Sequence, residues 1–132
     1  MRVYLDSSAL VKLVQREAES GALRRFLRRR PADQLVTCTL ARVEVVRAVL
    51  AGGPPAVAKA RRQLSHIDQI VMSTELLDRA ATMAPALQLR SLDAVHLAAT
   101  QVVGDELRAV VTYDRRMADA ARSLALTVET PS

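Results

Sequence analysis

The stretch RVYLDSSALVKL, residues 2–13, places a short apolar run, Val3 to Leu5, directly before a carboxylate, Asp6, and two hydroxyls. The run has the β-branched and aromatic character of a strand, and Ser7 or Ser8 is suited to cap a helix. This pattern predicts a strand that ends on an acid, followed at once by a helix. In parallel sheets the carboxyl ends of the strands are where chemistry gathers, so Asp6 is a candidate functional residue.

The same alternation of strand and helix continues along the chain. Short apolar runs predict five strands, at residues 2–5, 35–38, 67–72, 109–112 and 126–129. Segments of helical period predict helices from residue 7 or 8 to about 16, from 20 to 30, from a Thr39 cap to 50, from 54 to about 65, after a Ser73 or Thr74 cap, from 92 to 103 after a Ser91 cap, and from about 115 to 123. Such an order requires right-handed crossovers. We therefore predict an α/β protein of one domain over residues 1–132, with three α/β/α layers and a mostly parallel sheet of about five strands.

The chain is strongly basic. It has 19 basic and 14 acidic residues, a net charge of +5 and an isoelectric point near 10.3. A basic surface attracts polyanions, and nucleic acid is the natural candidate. The segment LRRFLRRR, residues 23–30, places arginines on one face of the second predicted helix. The three aromatic residues are too few for the base-stacking platforms of RNA-recognition sheets.

The sequence shows no second cysteine, no signal-peptide pattern and no membrane-spanning run, and these features bear on where the protein is expected to function. Cys38 is the only cysteine, so no internal disulfide can form, and a small buried residue in a reducing compartment is its simplest role. The start of the chain lacks the pattern of a signal peptide, and no apolar run is long enough to span a bilayer. We expect a soluble cytoplasmic protein that makes no contact with a membrane.

Three further acids lie where a shared site is feasible. Asp114 follows the predicted strand at 109–112, as Asp6 follows the first strand. Asp93 lies in the first turn of a predicted helix, where free N–H groups favour negative charge. Glu44 lies within a helix among valines, which is an expensive position for a carboxylate unless it has a partner. Arg47 and Thr39 are its nearest polar candidates along the chain.

Carboxylates held near one point repel each other unless a cation balances them. Oxygen ligands without a set of histidines and cysteines favour Mg²⁺, with Mn²⁺ as a substitute, over zinc. Such an ion can activate water against a phosphodiester and neutralise the charge that grows on the phosphate. The candidate catalytic residues and metal ligands are therefore Asp6, Glu44, Asp93 and Asp114.

Several neighbours of these acids could support the site. The hydroxyls of Ser8 and Thr112 lie two residues from an acid and can orient a carboxylate or a water. Arg115 and Arg116 follow Asp114 and are candidate contacts for RNA phosphate. His96 shares a helix face with Asp93 but is best interpreted as a packed histidine that hydrogen-bonds a nearby backbone group or carboxylate.

Four segments carry a family resemblance. In order, they are YLDSSALVKL at 4–13, TLARVEVVRA at 39–48, RSLDAVHLAA at 90–99 and VVTYDRRMADAA at 110–121. They resemble the four motif regions of PIN-domain ribonucleases, and in particular the VapC toxins of bacterial type II toxin–antitoxin pairs. The resemblance covers essentially the whole chain as a single PIN domain.

The resemblance implies a Mg²⁺-dependent endoribonuclease that hydrolyses RNA. The four acids of the family correspond to Asp6, Glu44, Asp93 and Asp114, and its two supporting hydroxyls to Ser8 and Thr112. It further implies a homodimer and a cognate VapB antitoxin that covers the acidic groove. Two alternatives are a PIN-like module that binds RNA or a protein without catalysis, and a phosphatase of the haloacid dehalogenase type. The phosphatase needs a second acid where this chain has Ser8.

Overall fold

The computed structural model describes all of residues 1–132 and is built around one five-stranded sheet. The strands are β1 (Arg2–Leu5), β2 (Gln34–Cys38), β3 (Asp68–Ile70), β4 (Leu107–Val111) and β5 (Val128–Glu129). Their order in the sheet is β3-β2-β1-β4-β5, and all four neighbouring pairs are parallel. The predicted parallel sheet of about five strands is confirmed, and β1 is its central strand.

Helices cover both faces of the sheet. They are α1 (Ser7–Val14), α2 (Ser20–Arg28), α3 (Ala41–Val49), α4 (Gly53–Ser65), α5 (Thr74–Thr82), α6 (Ser91–Val103) and α7 (Arg115–Ser123). Short 3₁₀ turns follow α3 (Leu50–Gly52), precede α6 (Pro85–Leu87) and precede β4 (Gly104–Glu106). No helix has the length and apolar character needed to cross a membrane.

The alternation of side chains along β1 separates the two apolar layers. Val3 and Leu5 pack on one face with residues of α1, α2, α3 and α4. Tyr4 points to the opposite face and packs with residues of α5, α6 and α7. All three side chains are fully buried, which explains why the first strand is a continuous apolar run rather than an alternating one. The predicted three-layer α/β/α arrangement is confirmed.

Three of the predicted helix caps are wrong. Asp6 itself, and not Ser7 or Ser8, is the N-cap of α1, because its carboxylate accepts the N–H of Ala9. Helix α6 begins at Ser91, after Arg90, with no side-chain cap. Helix α3 begins at Ala41 after Leu40, and the hydroxyl of Thr39 accepts the backbone N–H of Met72 instead.

Other local predictions hold more closely. Ser73 caps α5 through the N–H of Leu76, and α7 has its predicted bounds. Strand β3 is shorter than predicted, because the chain leaves the sheet after Ile70 when Met72 bonds to Thr39. Helices α1 and α2 each end two residues earlier than predicted, and β5 begins two residues later.

Candidate active site

The two central parallel strands bring two of the predicted acids to one edge. Leu5 of β1 is paired with Val111 of β4, and the N–H of Asp6 donates to the carbonyl of Val111 at 3.2 Å. Asp6 is the N-cap of α1, and Asp114 is the N-cap of α7. Each acid therefore stands where a strand passes into a helix, at the carboxyl edge of the sheet.

Asp6 is held entirely by uncharged donors. One carboxylate oxygen accepts the hydroxyl of Ser8 at 2.6 Å and the N–H of Ala9 at 3.0 Å, and the other accepts the hydroxyl of Thr112. The residue is buried, and no lysine or arginine lies within ion-pair distance of it. Burial raises the pKa of Asp6 although the hydrogen bonds from Ser8 and Thr112 oppose the shift. A cation beside this carboxylate would favour its ionised form.

Asp93 and Asp114 share one arginine that the sequence analysis did not consider. The guanidinium of Arg90 donates from Nε to Asp93 at 2.9 Å and from Nη2 to Asp114 at 2.7 Å. Hydrogen bonds to Asp93 and Asp114 raise the pKa of Arg90. Burial acts to raise the pKa of Asp114, but Arg90 and the N–H groups of Met117 and Arg116 outweigh it, so the pKa lies below its ordinary value. Arg90 thus serves as an internal counter-charge for two acids.

Glu44 has two hydrogen-bonding partners, and both come from other helices of the fold. Its Oε1 accepts the hydroxyl of Ser7 at 2.7 Å and lies 2.7 Å from Nε2 of His96. Arg47 and Thr39 make no hydrogen bond with it. Burial acts to raise the pKa of Glu44, but the hydrogen bonds from His96 and Ser7 outweigh it and hold the pKa below its ordinary value. The structure therefore favours an ionised Glu44.

The four acids form one connected group, although they come from four separate segments of the chain. Thr112 joins Asp6 to Asp114, since its hydroxyl donates to the first and accepts the N–H of the second at 3.1 Å. Arg90 continues the chain of contacts to Asp93. Glu44 joins through Ser7, next to Asp6, and through His96, one turn after Asp93.

The donor chemistry suits a hard divalent cation, but the side chains are not arranged around a common point. No three Asp, Glu, His or Cys side chains lie close enough together to hold one ion. Instead Arg90 lies between two acids, and hydroxyls and His96 satisfy the other two. Carboxylate and hydroxyl oxygens are the ligands that Mg²⁺ prefers, and Asp6 lacks any cationic partner of its own. The oxygen donors of these residues are therefore of the chemical type that Mg²⁺ binds.

Two sets of neighbours complete the description. Arg115 and Arg116 are exposed, and Arg116 lines a surface depression together with Arg90 and Asp93.

Sequence reasoning missed Ser7 and Arg90 as partners of the acids. The pairing of Arg90 with Asp93 could have been predicted from the sequence, because a basic residue three positions before an acid at the start of a helix can reach that acid.

Comparison with known proteins decides the family. A sequence model of the PIN domain matches residues 3–123. The chain belongs to the PIN-domain family, among the VapC ribonucleases. It is 48% identical to "Ribonuclease VapC46" of Mycobacterium tuberculosis over 130 residues, with 98% of each chain covered. It is 40% identical over 131 residues to "Ribonuclease VapC35" of the same species, covering 98% of this chain and 96% of the relative.

Two solved structures share the fold. M. tuberculosis VapC20, described as a Sarcin-Ricin loop cleaving toxin, superposes with a TM-score of 0.76 at 18% identity, covering 98% of this chain and 99% of that one. A toxin–antitoxin complex from Klebsiella pneumoniae gives a TM-score of 0.71 at 19% identity, covering 98% of each chain. At such identities the likeness concerns the backbone, and it agrees with the parallel sheet and its helical layers.

Proposed function

We propose that this VapC family member is a Mg²⁺-dependent endoribonuclease toxin that cleaves RNA by hydrolysis. The observation that carries the proposal is the linked group of Asp6, Glu44, Asp93 and Asp114 at the carboxyl edge of the sheet. Two of these acids cap helices and could be explained by capping alone. Asp6, however, is buried with no lysine or arginine beside it, and the partly buried Glu44 caps no helix and has His96 as its only possible cationic partner.

The assignment of the metal follows from the donor set. Asp6, Glu44 and Asp93 would hold Mg²⁺, directly or through water, and Asp114 would complete the site; Mn²⁺ would substitute because it takes the same oxygen ligands. When bound, the ion supplies positive charge to the phosphate and acidifies water for attack. Ser8 and Thr112 orient Asp6 through their hydroxyls, as supporting residues.

The basic residues have a separate role in this proposal. Arg115 and Arg116, next to Asp114, would bind phosphates of the RNA that flank the cleaved bond. The exposed arginines of α2 would attract RNA to the surface by long-range electrostatics. In the hydrolysis, water adds to phosphorus, the bond from phosphorus to the 3′ oxygen breaks, and that oxygen leaves with a proton. The products would carry a 5′ phosphate and a 3′ hydroxyl.

A toxin of this kind requires restraint in the cell. We propose a cognate VapB antitoxin that covers the acidic edge, a cytoplasmic location and a homodimer as the working unit. The existence of a toxin–antitoxin complex with the same fold supports the first of these. Co-expression with a candidate VapB antitoxin, followed by light scattering of the purified complex, tests both the partner and the number of copies.

The activity is tested with purified protein and cellular RNA in millimolar Mg²⁺ or in chelator. We expect cleavage only with the metal, and loss of cleavage in Asp6→Asn and Asp93→Asn. Asp78→Asn should cleave fully, because it alters an exposed acid of α5 whose side chain makes no hydrogen bond or ion pair. Folded variants of Asp6 and Asp93 with undiminished activity would rule out this site. RNA binding without cleavage in the parent would instead support the non-catalytic alternative.

A further inference from the structure

His96 connects the acidic edge to the buried core beneath it. It lies in α6, one helical turn after Asp93, and is only 4% exposed. Its Nε2 is 2.7 Å from Oε1 of Glu44, and its Nδ1 is 2.7 Å from the hydroxyl of Tyr4 in β1. The rings of Tyr4 and His96 meet edge to face, with centroids 5.9 Å apart. Both ring nitrogens are therefore engaged, one in the site and one in the core.

The chemistry of the partners fixes the direction of these hydrogen bonds. The ionised carboxylate of Glu44 can only accept, so Nε2 of His96 must carry the hydrogen. That requirement is the same for a neutral and for a protonated ring. In the neutral ring Nδ1 is then the acceptor, and the hydroxyl of Tyr4 donates to it. The hydroxyl of Tyr4 thereby completes the pairing of the ring and holds it with the Nε2 N–H facing Glu44.

The two oxygens of Glu44 are consequently unequal. Oε1 accepts from both Ser7 and His96, whereas Oε2 accepts no hydrogen bond. The side chain is 25% exposed, so solvent or an ion can reach the carboxylate group. Two donors on one oxygen restrict rotation of the carboxylate group and leave the other oxygen available.

We propose that His96, backed by Tyr4, is a positioning residue that orients Glu44 so that Oε2 serves as the metal ligand. The inference rests on the proposed function, because it takes Glu44 as a ligand of Mg²⁺. It extends that function by assigning a role to a histidine that the acid motifs do not include. Outer-shell partners of metal ligands commonly change metal affinity by about 10- to 100-fold when they are removed.

The variants separate hydrogen bonding from packing. His96→Gln retains an N–H donor at a similar distance from the backbone, whereas His96→Leu fills the space without a donor. Tyr4→Phe keeps the aromatic ring and removes the hydroxyl that pairs with Nδ1 of His96. Cys38→Ala removes the other group beside Nδ1, because the buried Cys38 sulfur lies 3.7 Å from that nitrogen, and it leaves the contacts of Glu44 in place.

The probe is Mn²⁺ bound to the full chain, measured from the paramagnetic resonance of the free ion. We expect about 10- to 100-fold weaker binding in His96→Leu, near-parental binding in His96→Gln and Cys38→Ala, and an intermediate value in Tyr4→Phe. At saturating metal, KM for RNA should be unchanged in His96→Gln. Equal affinities for the Leu and Gln variants, both folded, would overturn the inference.

A second measurement needs no variant and so does not depend on whether His96→Leu folds. Nitrogen-15 chemical shifts of the imidazole in the parent should identify Nε2 as a protonated nitrogen. An unprotonated Nε2 in the parent would overturn the inference.

Failure of the proposed function gives a different result. Parental Mn²⁺ affinity in Glu44→Gln would remove Glu44 from the ligand set. Weakened affinity in Glu44→Gln with no difference between the two His96 variants would reject only the positioning role.

Discussion

The hydroxyl of Thr112, at the end of β4, donates to the carboxylate of Asp6, at the end of β1, across 106 positions of sequence. The same hydroxyl accepts the N–H of Asp114 at 3.1 Å. Thr112 is fully buried, so neither of its partners can replace this contact with water. One side chain therefore couples the two strand ends that supply the first and the fourth acid.

Replacing Thr112 with valine should destabilise the protein. Valine has nearly the same shape but leaves an oxygen of Asp6 and the N–H of Asp114 without their partner, which costs about 1–3 kcal/mol. Urea unfolding in chelator measures the loss. Thr37→Val is the matched control, because the buried hydroxyl of Thr37 makes no hydrogen bond and its removal should cost nothing. Equal stability of the two variants would contradict the role assigned to Thr112.

Removing the charge of Asp6 should have opposite consequences with and without Mg²⁺. In chelator, Asp6→Asn should melt no lower than the parent, because burial disfavours the ionised carboxylate while an amide oxygen can still cap α1. In millimolar Mg²⁺ the parent should gain more in melting temperature than the variant, since a ligand stabilises the form that binds it. Identical gains would argue against a metal at Asp6; Asp78→Asn serves as the control.

Arg90 should compete with the metal for Asp93 and Asp114. Arg90→Gln removes a positive charge that is about half exposed, and we expect Mg²⁺ to bind a few-fold more tightly to the variant. The same variant should be less stable in chelator, because two neighbouring acids lose their shared partner. Thermal shifts across a Mg²⁺ titration report both effects. Arg79→Gln, at an exposed position of α5 without an ion pair, should change neither, and unchanged Mg²⁺ binding in Arg90→Gln would refute the competition.

The ion pairs of Asp33 make the stability of the folded protein depend on pH in the acid range. Its nearly buried carboxylate lies 3.3 Å from the amino terminus and pairs with Arg108, tying together the starts of β1, β2 and β4. The hydrogen bond from Arg108 lowers the pKa of Asp33 below its ordinary 3.8. Because the pKa of Asp33 is lower in the folded than in the unfolded protein, its ionised carboxylate stabilises the fold fully above pH 3.8. This stabilisation is lost as the pH falls through the pKa of the folded state.

Asp33→Asn should therefore be less stable than the parent at neutral pH, with a difference that shrinks only below about pH 4. Urea unfolding between pH 3 and pH 7 measures this difference. Asp105→Asn, at an exposed acid, should follow the parent throughout. A difference that grew toward acid pH would have the wrong sign for this mechanism.

Much of the fold was accessible from local pattern. Continuous apolar runs marked the buried strands. Their alternation with helical segments predicted the parallel sheet, because a crossover helix carries the chain from the carboxyl end of one strand back to the amino end of the next. Boundaries failed where distant groups competed for the backbone. Thr39 could not be read as the partner of Met72 from either segment alone, and that bond shortens β3.

The order of elements and the placement of acids at strand ends were properties of the sequence by itself, since both follow from which residues are adjacent along the chain. The partners of those acids were decided by the tertiary structure alone. Thr112 was expected beside Asp114 and bonds to Asp6 as well, and Glu44 pairs with Ser7 and His96 rather than with its helical neighbours. The physical reason is that a side chain's partner depends on strand register and helix rotation, which only the packed layers define.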